Sequence, residues 1–345
     1  MRAVAVLGRP APSVPLPLSV PLVPNTAVVI VSHRDAPMAL RCVAAVRREV
    51  PREAVCVVMN LPAQADADGM RRLREEAGIV VANTAPKGYG ANANAGVRAL
   101  PAGFGAFLVL NDDAIPAEGA IAAMVGALGA RGAGMVGARL LGPDGRDQAY
   151  AFHFPTVASE CAGIAILPRR IQDRLRRRLV LDQPAGVSTR EVDWVLGAAL
   201  AVDAAAWTDV GGFDERYFMW MEETDLAARL SRAGWTVQAC RSAVVSHVGA
   251  VSTSQAARSD RVRVFAQSRA RYVRTHWHRR HLAAWTLVQP LVYAWNAVYV
   301  AVRVVLNPGR RGEKLSLFRD HWDQRLTPRR LFGDHLDADP ADAAF

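Results

Sequence analysis

The sequence predicts an α/β fold in which a doubly wound, mostly parallel β-sheet carries helices on both faces. Apolar runs of four to six residues alternate with amphipathic stretches of ten to thirteen residues, and polar loops follow the runs. Runs without polar alternation are typical of strands that are buried on both faces, as in parallel sheets. With 345 residues, of which 51% are hydrophobic, the chain can bury one large core.

The regular pattern begins at Ala27. The predicted strands are AVVIV (27–31), AVCVVM (54–59), IVVA (79–82) and GAFLVL (105–110). The predicted helices are 38–49, 68–78, 91–100 and 117–129. Ligands bind beyond the carboxyl ends of the strands in such sheets, so the candidate binding loops are 32–37, 60–66, 83–90 and 111–116.

The alternation lapses after Gly137, and residues 142–190 are predicted to be a loop-rich basic insertion. A strand leading into a short helix is predicted over 192–203, followed later by a closing strand, AVVSH (243–247). These patterns divide the chain into four parts: a flexible proline-rich arm (1–25), an α/β domain (26–255), a helical extension (256–330) and a flexible tail (331–345).

The first 25 residues contain six prolines, which interrupt every apolar stretch. The arm is therefore not expected to be a signal peptide. The four cysteines are widely spaced and form no CxxC pair, so the sequence predicts neither a zinc site nor a disulfide framework, as expected for the cytosol.

The net charge of +10 is concentrated in two clusters, RRIQDRLRRRL (169–179) and a stretch with eight arginines (258–280). Such clusters suit an anionic partner, namely nucleic acid, a phospholipid surface or a phosphorylated substrate, or else they solvate exposed helix faces. No nucleic-acid-binding motif accompanies them, so nucleic acid is not expected as a partner.

The stretch FMWMEETDLAARL places three carboxylates, Glu222, Glu223 and Asp225, within four residues. Acids favour the first turn of a helix, where the macrodipole is positive. On that interpretation Asp225 pairs with Arg229 at i,i+4, which is typically worth under about 1 kcal/mol.

A second group of acids, NDDAIP (111–116), follows the strand GAFLVL directly. An Asn-Asp-Asp turn can be turn chemistry alone, but carboxylates at this edge of a parallel sheet also hold Mg²⁺ or Mn²⁺ together with a phosphorylated ligand. His247 ends the closing strand and is predicted to reach the same edge, although a lone histidine is more often structural. The convergence of Asp113, His247 and the acidic helix favours a functional site.

These motifs resemble those of family 2 glycosyltransferases with the GT-A fold, in particular the bacterial rhamnosyltransferase-like branch. The resemblance runs from about Ala27 to Trp277, and its most specific block is GAALAVDAAAWTDVGGFDERYFMWMEETDLAARLSRAGW. The shorter matching segments are VVIVSHRDAPMALRCVAAV, KGYGANANAG, LVLNDDAIP and SHVGAVST.

The resemblance implies an inverting transfer of sugar from a nucleoside-diphosphate donor with the help of Mn²⁺ or Mg²⁺. Glu223 would be the general base, with Glu222 beside it, and Asp113 and His247 would hold the metal. The implied donor-binding residues are Ser32, Arg34, Asp35, Asn60, Lys87, Gly88, Asn94, Asn111 and Asp112. The implied acceptor-binding residues are Trp194, Gly197, Phe218 and Trp220.

Two positions depart from the family's pattern. Glu223 stands where the family usually has aspartate, and Met59 stands where it commonly has an aspartate that holds the nucleotide base. A catalytically impaired scaffold with the same fold is therefore an alternative. A nucleotidyltransferase also uses a strand-end aspartate but gives no reason for the EETDL block.

The resemblance favours TDP-rhamnose as the donor, with UDP-galactofuranose second, and a lipid-linked or cell-surface polysaccharide acceptor. The segment 282–302 has 21 uncharged residues, close to the ~20 that span a bilayer. Its polar residues recur along one helix face, and Pro290 interrupts it, so a helix lying on the membrane or in a helical pair is expected rather than a span. Packing on the domain or in a homodimer is the alternative. The predicted location is cytoplasmic, peripheral at the inner face of the plasma membrane, with the arginines facing anionic lipid.

Overall fold

Nine strands form a mixed central sheet within the residues that the structure, a computed structural model, describes. The described residues are 22–61, 66–129, 132–168, 170–172, 174, 188–249, 258–306, 309, 312 and 315. Most of the predicted arm, most of the basic cluster 169–179 and the whole predicted tail lie outside these residues.

The strands and helices are numbered in chain order. The strands are β1 (Thr26–His33), β2 (Val55–Asn60), β3 (Ile79–Asn83), β4 (Ala106–Asn111), β5 (Ala114–Pro116), β6 (Ala133–Leu141), β7 (Ala151–Phe152), β8 (Thr189–Val192), β9 (Trp194–Val195), β10 (Ala199–Asp203) and β11 (Thr236–His247). The helices are α1 (Ala36–Val46), α2 (Ala67–Glu76), α3 (Tyr89–Ala99), α4 (Ala120–Leu128), α5 (Val157–Ile164), α6 (Ala204–Val210), α7 (Glu222–Arg232), α8 (Arg258–His276) and α9 (Arg279–Leu306).

The sheet has the strand order β3-β2-β1-β4-β10-β6-β11-β5, and β8 pairs with β11 outside this path. The first four strands are parallel to one another, and β6 is parallel to β11. Strands β10, β5 and β8 run antiparallel to their neighbours. The sheet is therefore mostly parallel, as the buried strands β1 and β2 predict from their unbroken apolar runs.

The strand register brings the polar loops to one edge. Ser32 pairs with Met59 across β1 and β2, and Val31 pairs with Asn111 across β1 and β4. At the other side of the sheet, His247 pairs with Ala114, the residue that follows the Asp turn. This register places the carboxyl ends of four strands beside the end of β11.

Strand β6 was not predicted, and its two central glycines explain why. Glycine is depleted in strands and masks the apolar pattern. A β-carbon at Gly137 would lie 2.4 Å from Val195 Cβ, and one at Gly134 would lie 2.7 Å from Trp235 Cβ. The packing of β9 and Trp235 on this strand therefore requires the glycines that hide it from the sequence pattern.

The segment 142–190, predicted as loop-rich, contains β7 and the helix α5. Thr156 and Ser159 form a capping box at the start of this helix. The closing strand is also longer than predicted, since β11 begins at Thr236 rather than residue 243. The region thus holds more regular structure than its composition indicates.

The C-terminal helices pack on the α/β domain: α8 lies against α7, and α9 lies against α5. A second apolar cluster joins them to the domain. Its fully buried members include Trp285 of α9, Tyr217 and Val273. The extension is therefore attached to the domain through a core of its own.

Gly96 sets the distance between α3 and the sheet. A β-carbon there would lie 2.3 Å from Val29 Cγ1 and 3.0 Å from Val58 Cγ2, both on stiff β-branched side chains. We expect Gly96→Ala to lower the free energy of unfolding by about 1–3 kcal/mol through overpacking. Chemical denaturation measures this change.

Gly126, in the exposed part of α4, provides the control, because a β-carbon there meets nothing within 4 Å. Gly126→Ala should raise the stability by about 0.5–1 kcal/mol through helix propensity alone. Equal effects of the two substitutions would contradict the packing of α3 described above.

Candidate active site

A cavity of about 290 Å³ opens at the carboxyl ends of β1, β2 and β4, facing the start of α7. Its lining residues are Val31, Ser32, His33, Asn60, Lys87, Tyr89, Asn92, Asn111, Asp112, Asp113, Leu196, Gly197, Ala198, Phe218, Met219, Trp220, Glu222, Glu223 and His247. The lining brings together two acidic groups that lie more than 100 residues apart in the sequence. Twelve of the seventeen residues proposed from the resemblance lie in this lining.

Ser32 and Asp112 form the floor at the end of β1. The Ser32 hydroxyl donates a hydrogen bond of 2.6 Å to Asp112 Oδ2. Burial raises the pKa of Asp112 to about 7; the hydrogen bond from Ser32 opposes this shift, and the charge of Asp113 adds to it. A buried carboxylate of this kind favours a nearby positive charge.

Asp113 and His247 lie next to each other in one wall of the cavity, and Asp113 Oδ1 is 3.5 Å from His247 Nε2. Gln148 fixes the imidazole. Its Nε2 donates to the His247 carbonyl oxygen (2.9 Å), so its Oε1 must accept from His247 Nδ1 (2.8 Å). Burial lowers the pKa of His247, against the opposing effect of the Asp113 charge, and so favours the neutral ring, whose Nε2 carries a lone pair toward Asp113.

A carboxylate and an imidazole lone pair that face each other fit a divalent cation between them. Imidazole nitrogen and carboxylate oxygen are both ligands for Mn²⁺, and a second hydrogen bond on the other ring nitrogen is typical of a metal-binding histidine. Among the described residues, no group of three or more His, Cys, Asp or Glu side chains is arranged to hold a metal. Within the described part of the chain, Asp113 and His247 would supply two ligands, which suits a cation that takes its other ligands from phosphates and water.

Asparagines hold the loop that follows β3. The Asn60 side chain donates to the Lys87 carbonyl oxygen (3.1 Å) and accepts from the Lys87 amide (3.2 Å). Asn92 also donates to the Lys87 carbonyl oxygen (3.1 Å) and accepts from Asn83 (2.6 Å). Lys87 is thus presented to the cavity on a fixed backbone.

Glu222 and Glu223 form the wall opposite, in the first turn of α7. Both side chains are buried, and among the described residues neither Oε2 atom has a hydrogen-bond partner. Burial raises the pKa of both, and the neighbouring Glu223 raises that of Glu222 further. Buried carboxylate oxygens without partners are costly and are typical of functional sites.

The backbone before α7 is strained. Trp220 and Met221 have φ angles of 67° and 68°, in the left-handed region that bulky residues rarely adopt. Each such residue costs on the order of 1–3 kcal/mol, and such strain is concentrated at functional sites. The left-handed turn formed by these two residues directs Trp220 and the two glutamates toward the cavity.

Asp225 faces the interior instead and is 1% exposed. Arg229 Nε donates to it at 2.7 Å, and His276 Nε2 of α8 donates to its other oxygen at 2.7 Å. The Tyr217 hydroxyl lies 3.4 Å from the same carboxylate. The expected helix start and the expected pairing with Arg229 are both present, and α8 additionally covers this turn and buries Asp225.

The chain matches a known protein family over the residues that form this cavity. The profile of the family described as "Glycosyltransferase like family 2" matches residues 24–266. The chain belongs to glycosyltransferase family 2. The match covers the sheet, the cavity and the acidic helix, so the expected enzyme class is confirmed.

Over a short segment, this family 2 glycosyltransferase is similar to a rhamnosyltransferase. The N-acetylglucosaminyl-diphospho-decaprenol L-rhamnosyltransferase of Mycobacterium tuberculosis, in two strains, is 50% identical over 68 residues. The match covers 20% of this chain and 22% of the relative, so it spans about a fifth of the relative's length.

A solved structure shares the fold. The mannosyltransferase PcManGT from Pyrobaculum calidifontis, in complex with GDP-Man and Mn²⁺, is 14% identical with a TM-score of 0.53. The similarity covers 90% of this chain and 88% of that one. The expected GT-A fold is confirmed.

Five of the residues proposed from the resemblance lie outside the cavity lining, and each has another structural use. Asp35 caps α1 by accepting from the Met38 amide (2.8 Å), and Arg34 lies beside it with a φ of 60°. Asn94 accepts from the Phe213 amide (3.0 Å) and donates to Glu215 (3.0 Å). These local bonds occupy the side chains of Asp35 and Asn94, so neither reaches the cavity.

The other two are Gly88 and Trp194. A β-carbon at Gly88 would lie 2.5 Å from the Tyr217 carbonyl oxygen, so the glycine allows two loops to pack closely. The Trp194 ring stacks on Phe152 with centroids 4.3 Å apart, and its Nε1 donates to the His153 carbonyl oxygen. Trp194 therefore packs against the segment of β7 rather than in the cavity lining.

The sequence interpretation missed Tyr89 and Gln148. The Tyr89 hydroxyl donates to the Gly197 carbonyl oxygen (2.7 Å), and its amide donates to the Phe218 carbonyl oxygen (2.8 Å). Its position between glycines in KGYG was a usable signal. Gln148 lies in the irregular segment after β6 and gave no signal.

We expect Asp225→Asn to lower the free energy of unfolding by about 3–5 kcal/mol, because it removes the buried charge that pairs with partly buried Arg229 and accepts a hydrogen bond from buried His276. This loss of stability is larger than the value under about 1 kcal/mol that is typical of an i,i+4 pair on a helix surface. Chemical denaturation measures it.

Asp68→Asn is the matched control, since Asp68 also pairs with an arginine, Arg71, but on the surface of α2. It should leave the melting temperature nearly unchanged. A small effect of Asp225→Asn, similar to that of the control, would show that the buried network does not stabilise the fold.

Proposed function

We propose that the protein is an inverting, divalent-metal-dependent rhamnosyltransferase that uses TDP-rhamnose and a lipid-linked glycan acceptor. The observation that carries the proposal is the pairing of two walls in one cavity: Asp113 and His247 on one side, and unpartnered Glu222 and Glu223 on the other. The name of the Mycobacterium tuberculosis relative supports the choice of sugar and of a lipid-linked acceptor.

The wall of Asp113 and His247 would bind Mn²⁺ or Mg²⁺. When bound, the cation neutralises the charge that develops on the diphosphate leaving group. The chain's own contribution is to orient the imidazole through Gln148 and to keep Asp112 bound by Ser32. Lys87 and Asn111 also line this side and would contact the donor.

Glu223 is the proposed general base, which takes the proton from the acceptor hydroxyl. The backbone N–H groups of Gly197 and Thr224 lower its pKa, against the larger effect of burial, and so favour its charged form. Glu222 has fewer such contacts, and its pKa is raised well above the usual range by burial and by Glu223. Of the two acids, Glu223 is the one that accepts a hydrogen bond from the Gly197 amide, and this contact supports its role as the base.

The acceptor would enter beside Phe218, Met219 and Trp220, which form the apolar part of the lining next to the glutamates. An apolar wall excludes water from the base and suits a sugar with a lipid carrier. We propose that the enzyme acts at the cytoplasmic face of the membrane, and the lipid-linked acceptor in the relative's name supports a position close to the membrane.

A transfer assay tests the proposal. The wild-type protein with Mn²⁺, TDP-rhamnose and a polyprenyl-diphosphate-linked N-acetylglucosamine should release TDP and extend the acceptor. Glu223→Gln should lower the turnover rate by about 100- to 10,000-fold while leaving donor affinity nearly intact, because glutamine keeps the size but cannot accept the proton.

Glu222→Gln serves as the matched comparison and should have an intermediate effect, through the pKa of its neighbour. A larger loss in Glu222→Gln than in Glu223→Gln would exchange the two roles. Transfer from UDP-galactofuranose but not from TDP-rhamnose would reassign the donor. Absence of turnover with either donor would favour a scaffold that keeps the fold.

A further inference from the structure

Helix α9 exposes large apolar side chains of the kind that a helix on a soluble domain normally buries. Its exposed face carries large apolar residues: Leu287, Leu291, Trp295, Val298, Val302 and Val305. Its buried face includes two amides, Gln289 and Asn296, which are 6% and 0% exposed. A surface helix normally buries its apolar stripe and exposes its polar one.

The buried amides attach α9 to the loop after α5. Asn296 Oδ1 accepts from the Ile166 amide (2.7 Å), and its Nδ2 donates to the Ile164 carbonyl oxygen (2.8 Å). Trp295 Nε1 donates to the Ile166 carbonyl oxygen (3.2 Å). The middle of α9 is therefore bonded to irregular backbone of the domain.

These bonds decide between two orientations in a membrane. By length and composition α9 could cross a bilayer. A crossing helix would place Asn296 near the bilayer centre and carry residues 164–166 and α5 with it. Irregular backbone exposed to hydrocarbon is not tolerated, so the bonded arrangement fits only a helix that lies in the plane of the surface.

Charge favours lipid over a second copy of the chain as the occupant of this face. Arg274, Arg279 and Arg280 are exposed beside the start of α9, and α9 contains no acidic residue. A second copy of α9 would place only arginines against these arginines, those at its own start in a parallel pair or Arg303 in an antiparallel one, whereas an anionic bilayer complements them. Trp295 is half exposed beside Tyr299, as is typical of residues at a membrane interface.

Two of the arginines that precede α9 are buried and therefore do not face lipid. Arg269 is buried, pairs with Glu160 and lies over the Trp285 ring. Arg271 is buried over the Tyr217 ring. Both fasten the extension to the domain, because their apolar stems and aromatic partners form part of the second core.

We propose that the exposed apolar face of α9 is a docking surface for an anionic bilayer, in which the helix lies parallel to the membrane without crossing it. This inference goes beyond sugar transfer and does not rest on it. Helix α8 connects the docking surface to the cavity, since Ser268 donates to the Met219 carbonyl oxygen (2.8 Å). Membrane docking would therefore hold the acceptor side of the cavity near the lipid.

Co-sedimentation of the full chain with vesicles tests the proposal without any substrate. The wild-type protein should bind vesicles of phosphatidylglycerol and phosphatidylcholine and bind phosphatidylcholine alone at least about tenfold more weakly. Leu287→Glu with Leu291→Glu should weaken binding to the anionic vesicles by more than about tenfold. Leu22→Glu, an equally apolar exposed site away from α9, is the control and should bind as the wild type does.

Melting curves establish that each variant is folded before binding is compared. Alkaline carbonate should release the bound wild-type protein, and its retention would show a membrane span and overturn the proposal. Equal vesicle binding by the double variant and the wild type would also overturn it. So would a wild-type dimer that fails to bind vesicles and that the double variant converts to a monomer, because the occupant would then be a second copy.

Discussion

The active-site arrangement depends on the hydrogen bonds that the buried carboxylate of Asp225 accepts. The carboxylate accepts hydrogen bonds from Arg229 of α7, from Tyr217 in the segment before α7, and from His276 in the C-terminal extension. Arg229 continues the network by donating to the Val210 and Gly212 carbonyl oxygens (both 2.8 Å). The segment before α7, the turn after α6 and the C-terminal extension are therefore all fixed relative to the first turn of α7.

This network explains why three acids stand within four residues. Asp225 uses its charge to hold the helix, and Glu222 and Glu223 are thereby kept in the cavity with oxygens that have no partner among the described residues. Two strained residues, Trp220 and Met221, complete the turn. The hydrogen bonds that Asp225 accepts from Arg229 and His276 hold this strained turn in place from its other side.

Much of the fold was predictable because the apolar runs and polar loops of residues 26–129 agree at every level. Strand β6 was not predictable, because tertiary packing requires glycine at positions 134 and 137, where strand propensity disfavours it. The acids and His247 were predictable as a group because parallel strands end at one edge. The uses of Asn94, Trp194 and Arg269 were not, because an amide, an indole or a guanidinium serves a ligand or the fold equally well until its neighbours are known.

The central claim is that one cavity holds a cation on the wall of Asp113 and His247 and a base on the wall of the glutamates. The most direct test is anomalous diffraction at the manganese edge from crystals grown with TDP and Mn²⁺. The account predicts one peak within bonding distance of Asp113 and His247 Nε2, with the diphosphate on the side of Lys87. A peak between Glu222 and Glu223 instead would contradict it, since the proposed base would then be a metal ligand.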